Sequence, residues 1–215
     1  MITSKVCNHH TSKYMIGVYD YTVILTYCGL FSTLFGVYQA SQNNVQNAIL
    51  CLGITLFCDA FDGRVARTKK NRTDNEKLFG IQIDSLCDLV SFGIFPSVLA
   101  HYMALNEGID FIILAYYCLC CVIRLAYFNV LEITKKEGEG SGFIGLPSPS
   151  LAVILPLICL IRIYIGANIF VWILRGSYIV AGTLYISNFK LPKPKVWQIA
   201  LLSLIFWIPF FMICF

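Results

Sequence analysis

Four aspartates are the residues of this sequence best placed to do chemistry. Asp59-Ala-Phe-Asp62-Gly63-Arg-Val-Ala66-Arg67 and Gly80-Ile-Gln-Ile-Asp84-Ser-Leu-Cys-Asp88 read D-x-x-D-G-x-x-A-R and G-x-x-x-D-x-x-x-D, joined by a basic connection. On a helix, Asp59, Asp62, Gly63, Ala66 and Arg67 fall at i, i+3, i+4, i+7 and i+8 and share one face. Gly80, Asp84 and Asp88 do the same at i, i+4 and i+8. Apolar runs flank both segments, Ile49 to Phe61 before the first and Leu89 to Met103 after the second. A lone Asp at the centre of a membrane helix costs roughly 2.5 to 3.5 kcal/mol, and four on neighbouring helices repel one another. The arrangement becomes favourable if the two helices lie side by side and the carboxylates converge on hard divalent cations, which prefer oxygen ligands. Such a site would hold phosphate between two metal ions.

The elements that must position these groups are membrane spans. The chain is 58% hydrophobic and only 13% charged, with a mean hydropathy of +0.72, which marks an integral membrane protein. Stretches of about 20 apolar residues lie near Tyr19–Gln39, Gln46–Val65, Phe79–Leu105, Asp110–Leu131, Ser148–Ile165, Asn168–Ile186 and Val196–Phe215. Of the 16 Lys and Arg residues, all but Arg124, Arg162 and Arg175 fall in four segments: the N-terminal tail, the connection around Lys69 to Lys77 with the helix end that feeds it, the Lys135–Lys136 loop and the Lys190–Lys195 loop. These segments alternate along the chain and share one side, so the positive-inside rule puts the N-terminus and the carboxylates at the cytoplasm.

The net charge of +4 follows from that topology and from attraction to anionic headgroups. Nucleic acid is excluded as a partner, because the basic loop is short and lacks interleaved aromatics. Most of the ten cysteines sit inside spans and read as small buried hydrophobes. Cys118 and Cys121 form a C-x-x-C at mid-span with no second pair to complete a zinc site, and read as packing. No cleavable signal peptide is visible.

Several other residues have two readings each. His9 and His10 read as a solvated tail. Asp20, Thr22 and Thr26, at the start of the first span, are helix-capping groups or reach a bound nucleotide, with capping favoured. The run from Thr68 to Phe79 reads as a solvated charged loop that raises the local anion concentration. Arg124, in Arg124-Leu-Ala-Tyr127-Phe-Asn129, either snorkels to headgroups or turns into the bundle to clamp a carboxylate or phosphate; the inward reading is preferred. Gly145, Pro147 and Pro149 fix a turn before a helix. Gly138, Gly140 and Gly142 follow no strand and are not a nucleotide loop. Arg162 is expected at the outer interface and Arg175 within the sixth span, facing the bundle. Gly29, Ser32 and Gly36 offer small surfaces for close helix approach.

The run from Asp59 to Asp88 resembles the signature of the CDP-alcohol phosphatidyltransferases. The resemblance covers the two motifs in full, with a gap of 12 residues between Arg67 and Gly80 where the family's gap is commonly shorter. Arg124-Leu-Ala-Tyr127-Phe-Asn129 and Phe143-Ile-Gly145-Leu-Pro147 look like segments of the phosphatidylserine synthase branch. Tyr127 stands where that branch usually has a second Arg, which puts one cationic contact in question. The resemblance implies an all-α polytopic fold: a six-helix core over residues 19–187, an N-terminal cytoplasmic segment 1–18, and a loop and extra C-terminal span over 188–215.

It further implies transfer of a phosphatidyl group from CDP-diacylglycerol to the hydroxyl of L-serine, with release of CMP at the cytoplasmic face of the cell membrane. Two divalent ions, Mg2+ or Mn2+, would be held by Asp59, Asp62, Asp84 and Asp88, and Asp88 would also serve as general base. Gly63 and Gly80 would let the diphosphate approach the backbone, Ala66 would keep that face open, and Arg67 would meet phosphate oxygens. Arg124, Asn129 and Ser148 are candidates for the serine carboxylate or lipid phosphate. A homodimer follows by the same analogy. Within the enzyme class the alternative acceptors are glycerol 3-phosphate or an inositol phosphate, which would call for more basic residues. A cation-coupled transporter is the alternative from another class, although no internal repeat is visible.

Overall fold

The computed structural model of the chain describes residues 17–69, 71–134, 143–162 and 164–191. The expectations placed on His9, His10, Lys135, Lys136, Gly138, Gly140, Gly142 and the span Val196–Phe215 lie outside them. The described chain is a bundle of helices in the order α1 (Tyr21–Ser41), α2 (Val45–Thr68), α3 (Asp74–Asp88), α4 (Phe95–Met103), α5 (Gly108–Thr134), α6 (Ser150–Ile161) and α7 (Ala167–Ile186). A π-helical segment, Leu89–Ile94, joins α3 to α4, so Asp74–Met103 runs as one rod of 30 residues. That rod, α1, α5 and α7 are long and apolar enough to cross a membrane. The fold is that of a polytopic helical membrane protein. Two residues at each of Phe143–Ile144 and Lys190–Leu191 pair antiparallel, a minor exception to an otherwise helical chain.

Local sequence explains the helix limits. Asp20 caps α1 by accepting from the Thr22 amide at 2.9 Å, which is the capping role preferred for it above. Asn43 takes a left-handed conformation (φ 58°) between α1 and α2, which Asn tolerates. The Asn44 side chain then accepts from the Asn47 amide to start α2. α3 begins at Asp74, not near Phe79, because Thr73 and Glu76 form a reciprocal capping box. Half of the expected charged loop is therefore helix. α6 is also shorter than expected, Ser150–Ile161 in place of Ser148–Ile165. Its 12 residues rise about 18 Å, less than the apolar thickness of a bilayer.

The principal packing pairs are α1 on α2 and α5 on α7. Small residues let α1 sit close to its neighbours. A Cβ on Gly36 would collide with the Phe95 ring and lie 2.9 Å from Cys51 Cβ, and one on Gly29 would lie 3.1 Å from Cys58 Cβ. Ser32 Oγ donates to the Cys51 carbonyl at 3.0 Å. This stripe therefore packs helices of the same chain. The buried core, including Ile49, Leu52, Phe92, Phe95, Leu99, Tyr117, Leu155 and Tyr178, fills the centre between the pairs.

A π-helical turn displaces backbone carbonyls from regular partners, and α5 supplies replacements. Tyr117 Oη donates to the Phe92 carbonyl at 2.6 Å. Cys118 Sγ lies 3.4 Å from the Gly93 carbonyl, which also accepts from Ser97. The cysteines of the described residues are free thiols, so the C-x-x-C is packing and hydrogen bonding.

Candidate active site

α2 and α3 bring the motif faces together at one end of the bundle. Asp59, Asp84 and Asp88 each place a carboxylate oxygen within 4.8 Å of the others. Asp62, 8% exposed, sits one turn towards the helix end, against Asp84. It accepts from Thr26 Oγ1 of α1 at 3.1 Å. Thr26 lies within α1 and does not cap it, so the capping reading is corrected here: its hydroxyl is the third helix's contribution to the acidic group. Below the carboxylates a buried hydroxyl cluster continues inward, with Thr33 Oγ1 at 3.1 Å from Thr55 and 2.8 Å from Ser91. Among the described residues no Lys or Arg forms an ion pair with any of the four aspartates.

That donor set suits a hard cation. It is all oxygen and anionic, without a direct ion pair among the described residues, and carboxylates this close strongly disfavour sharing the site without a positive partner. The three helices also enclose a cavity of about 230 Å³ lined by Thr22, Thr26, Asp62, Gly63, Ala66, Arg67, Arg72, Lys77, Gly80 and Asp84, among others. Carboxylates form one wall and cations the rim. The two motif glycines differ in what covers them. A Cβ on Gly63 would meet only Arg67 Nη2, at 3.8 Å, so its face is open. Gly80 is not open: a Cβ there would lie 2.6 Å from Arg72 Nη2. The expectation of free backbone at both glycines is corrected for Gly80, where a guanidinium occupies the space. Arg67 turns back, its Nε donating to the Gly63 carbonyl at 3.0 Å.

The three helix ends are tied together by Lys69. Its ammonium lies 2.7 Å from Asp20 Oδ2 and 3.0 Å from Glu76 Oε1, linking the start of α1, the end of α2 and the first turn of α3. Burial alone would raise the Asp20 pKa. The Lys69 ammonium and the Thr22 hydroxyl and amide outweigh it and hold the carboxyl below its ordinary value. Hydrogen bonds from Lys69 to Asp20 and Glu76 hold its own pKa above the ordinary lysine value.

Arg124 faces the bundle, 5% exposed, with Nε 3.2 Å from Ser148 Oγ and its guanidinium 4.5 Å from the Phe128 ring centre. A second cavity of about 250 Å³ lies beside it, lined by Tyr127, Phe128, Tyr185, Ser187 and Asn188. Arg124 and Ser148 are thus brought together, and Arg124 lines a different cavity from the one beside Asp62. Asn129 is on neither lining; it accepts from Ser85 Oγ at 2.6 Å and so ties α5 to the carboxylate helix. Tyr185 Oη donates to the Ser148 carbonyl at 2.7 Å and lies 3.4 Å from Tyr117 Oη. A chain of hydroxyls therefore runs from the π-helical turn after Asp88 to the segment that carries Ser148. Gly145, at φ +69°, makes that segment possible, since a Cβ there would lie 3.0 to 3.2 Å from three carbonyls at the end of α7.

Arg175 faces the bundle at the opposite end, in ion pairs with Asp110 and Glu107. Arg162 is exposed after α6, over the Phe170 ring. The residues that motif spacing did not single out for the site are Arg72 and Lys77, which it assigned to a solvated loop. The Thr73-x-x-Glu76 capping pattern was the available signal, because it starts α3 early and sets Arg72 against the helix.

The sequence profile described as CDP-alcohol phosphatidyltransferase matches residues 21–215. The chain belongs to the CDP-alcohol phosphatidyltransferase family. Among curated proteins, the CDP-diacylglycerol--serine O-phosphatidyltransferase of Helicobacter pylori (strain J99 / ATCC 700824) is 30% identical over 194 residues, covering 87% of this chain and 79% of the relative. The protein of that name from Saccharomyces cerevisiae is 34% identical over 164 residues, 72% of this chain and 58% of the relative. The one from Methanocaldococcus jannaschii is 34% identical over 148 residues, 68% of this chain and 64% of the relative.

Proposed function

We propose that this phosphatidyltransferase moves the phosphatidyl group of CDP-diacylglycerol to the hydroxyl of L-serine, forming phosphatidylserine and releasing CMP. The observation that carries the reading is the convergence of three carboxylates from two adjacent helices, with no Lys or Arg ion-paired to them among the described residues. The names of the relatives above support serine as the acceptor.

Asp59, Asp62, Asp84 and Asp88 would hold two divalent ions, Mg2+ or Mn2+, whose chemistry is to neutralise the diphosphate and stabilise charge on the attacking and leaving oxygens. The remaining work belongs to the chain. Gly63 leaves its backbone accessible to the diphosphate, and Ala66 adds no bulk to that face. Arg67 can exchange its bond to the Gly63 carbonyl for a phosphate oxygen. Asp88 accepts the serine hydroxyl proton as the new P–O bond forms and the bond to CMP breaks. Arg124, held by Ser148 over the Phe128 ring, is suited to the serine carboxylate, and Asn129 keeps the two helices in register.

The same reading puts the catalytic end at the cytoplasmic face of the cell membrane, with residues 19–187 as the core, and takes the enzyme to be a homodimer. In that orientation the acyl chains stay in the bilayer while serine arrives from the cytosol. The test supplies the purified chain with CDP-diacylglycerol, Mg2+ or Mn2+, and one alcohol at a time. CMP release with L-serine, and not with glycerol 3-phosphate or inositol phosphate, is expected. Release with a phosphorylated alcohol alone would overturn the acceptor assignment. Arg124→Lys should raise the serine KM more than the lipid KM, and equal effects would count against its role.

A further inference from the structure

Three cations stand on the rim of the cavity beside Asp62 and Asp84, and they are not equivalent. Lys77 is engaged with Asp74 at 3.1 Å. Arg67 donates its Nε to a carbonyl of its own helix. Arg72 donates Nη2 to the Glu76 carbonyl at 3.1 Å, while its Nε is buried without a hydrogen-bond partner among the described residues. A buried N–H of a charged group without an acceptor costs stability, so its position calls for an acceptor. Two features hold it there. The anchoring carbonyl is on the first turn of α3, and the guanidinium lies in the space that Gly80 leaves free, 2.6 Å from where a Cβ would be.

We infer that Arg72, seated on Gly80, is a specificity-determining residue whose guanidinium donates to an anionic phosphate oxygen of the cytidine diphosphate group. The inference rests on the reading of this cavity as the nucleotide site. It gives Gly80 a second task, that of a seat: any side chain there would push the guanidinium off the cavity wall. The chemistry favours phosphate over base. Arg is a fixed fork of donors, it lines the same cavity as Asp62 and Asp84, and a charge-assisted bond is stronger than one to a neutral carbonyl.

The experiment uses the full-length chain in detergent with Mg2+ and measures binding of CDP and of cytidine by calorimetry, alongside the KM values for CDP-diacylglycerol and serine. Arg72→Gln is expected to weaken CDP by about ten-fold while leaving cytidine and the serine KM unchanged. Arg72→Lys, which keeps the charge and loses the fork, should recover only part of the loss. Gly80→Ala should reproduce the Arg72→Gln effect, and the double variant should be no worse than Arg72→Gln alone. Unchanged CDP affinity in Arg72→Gln, a matching loss for cytidine, or additive effects of the two substitutions would each overturn the inference. A wild-type chain that binds CDP but releases no CMP with serine would sink the acceptor reading and leave Arg72 standing. A wild-type chain that binds no CDP would overturn both.

Discussion

The two ends of this bundle handle buried charge in opposite ways. At the end remote from the motif, Asp110 is fully buried, and Arg175 meets it at 2.6 Å while also reaching Glu107 at 2.6 Å. The Glu107 amide adds a bond to the second Asp110 oxygen. Both acids there meet Arg175, and the result is a clamp between the start of α5 and α7. At the motif end the acids face one another and a row of hydroxyls. No Lys or Arg among the described residues pairs directly with these acids; the cations of the chain stand back on the cavity rim. A fold that needed only stability would arrange both ends like the first, because an uncompensated buried charge is costly.

Substitutions at the two ends should therefore separate activity from stability. The largest effect belongs to the motif: Asp84→Asn or Asp88→Asn should lower CMP release by about a thousand-fold or more. Neither should lower the melting temperature of the metal-free protein, since each removes repulsion. A variant that unfolds in place of losing activity would show that the carboxylates are structural. Arg175→Ala should do the reverse. It strands Asp110 and should lower the melting temperature by roughly 5 °C, with turnover per folded molecule retained. No change in melting would break the comparison from the other side.

Tyr117→Phe tests the connection between the ends of the site. It removes the hydroxyl that satisfies the Phe92 carbonyl and should cost about 1 kcal/mol. A several-fold fall in kcat, with the KM for CDP-diacylglycerol held, would mark it as a positioning residue for Asp88. A stability change without a change in kcat would limit it to packing.

The smallest effect concerns pH. The Asp20 carboxyl, held below its ordinary value of 3.8, contributes stability above that value and loses it as the pH falls through the lowered one. The raised Lys69 pKa works in the opposite sense. Its contribution is complete below the ordinary value of 10.5 and is lost as the pH rises through the raised one. The link across α1, α2 and α3 thus holds throughout the neutral range. Asp20→Asn should flatten the acid limb of the melting curve by about a degree or two, and an unchanged acid limb would remove Asp20 from the account.

The convergence of the four aspartates was legible because helical spacing sets which side chains share a face, and two such faces one connection apart have few ways to avoid each other. Four of the seven expected spans were legible as hydrophobic length; α2, which carries the charged motif, and the short α6 do not meet the length and composition of a crossing, and Val196–Phe215 lies outside the described residues. What escaped were features decided by partners distant in sequence. The role of Arg175 depends on Asp110, 65 residues away. The π-helical turn depends on Tyr117 to satisfy its displaced carbonyl. Arg72 looked like part of a solvated loop, since nothing local shows that Gly80 will receive its guanidinium. The early start of α3 was an exception: Thr73 and Glu76 announced it, and the charged composition around them obscured it.

The central claim is that the motif carboxylates are left unbalanced so that metal ions can balance them. The direct measurement is a Mn2+ titration of the purified, metal-stripped chain in detergent, followed by electron paramagnetic resonance, for the wild type and for Asp84→Asn. Saturable uptake of about two ions per chain, abolished or halved by the substitution and accompanied by a rise in melting temperature, is the expected result. Uptake that is absent from the wild type, or identical in Asp84→Asn, would contradict the claim.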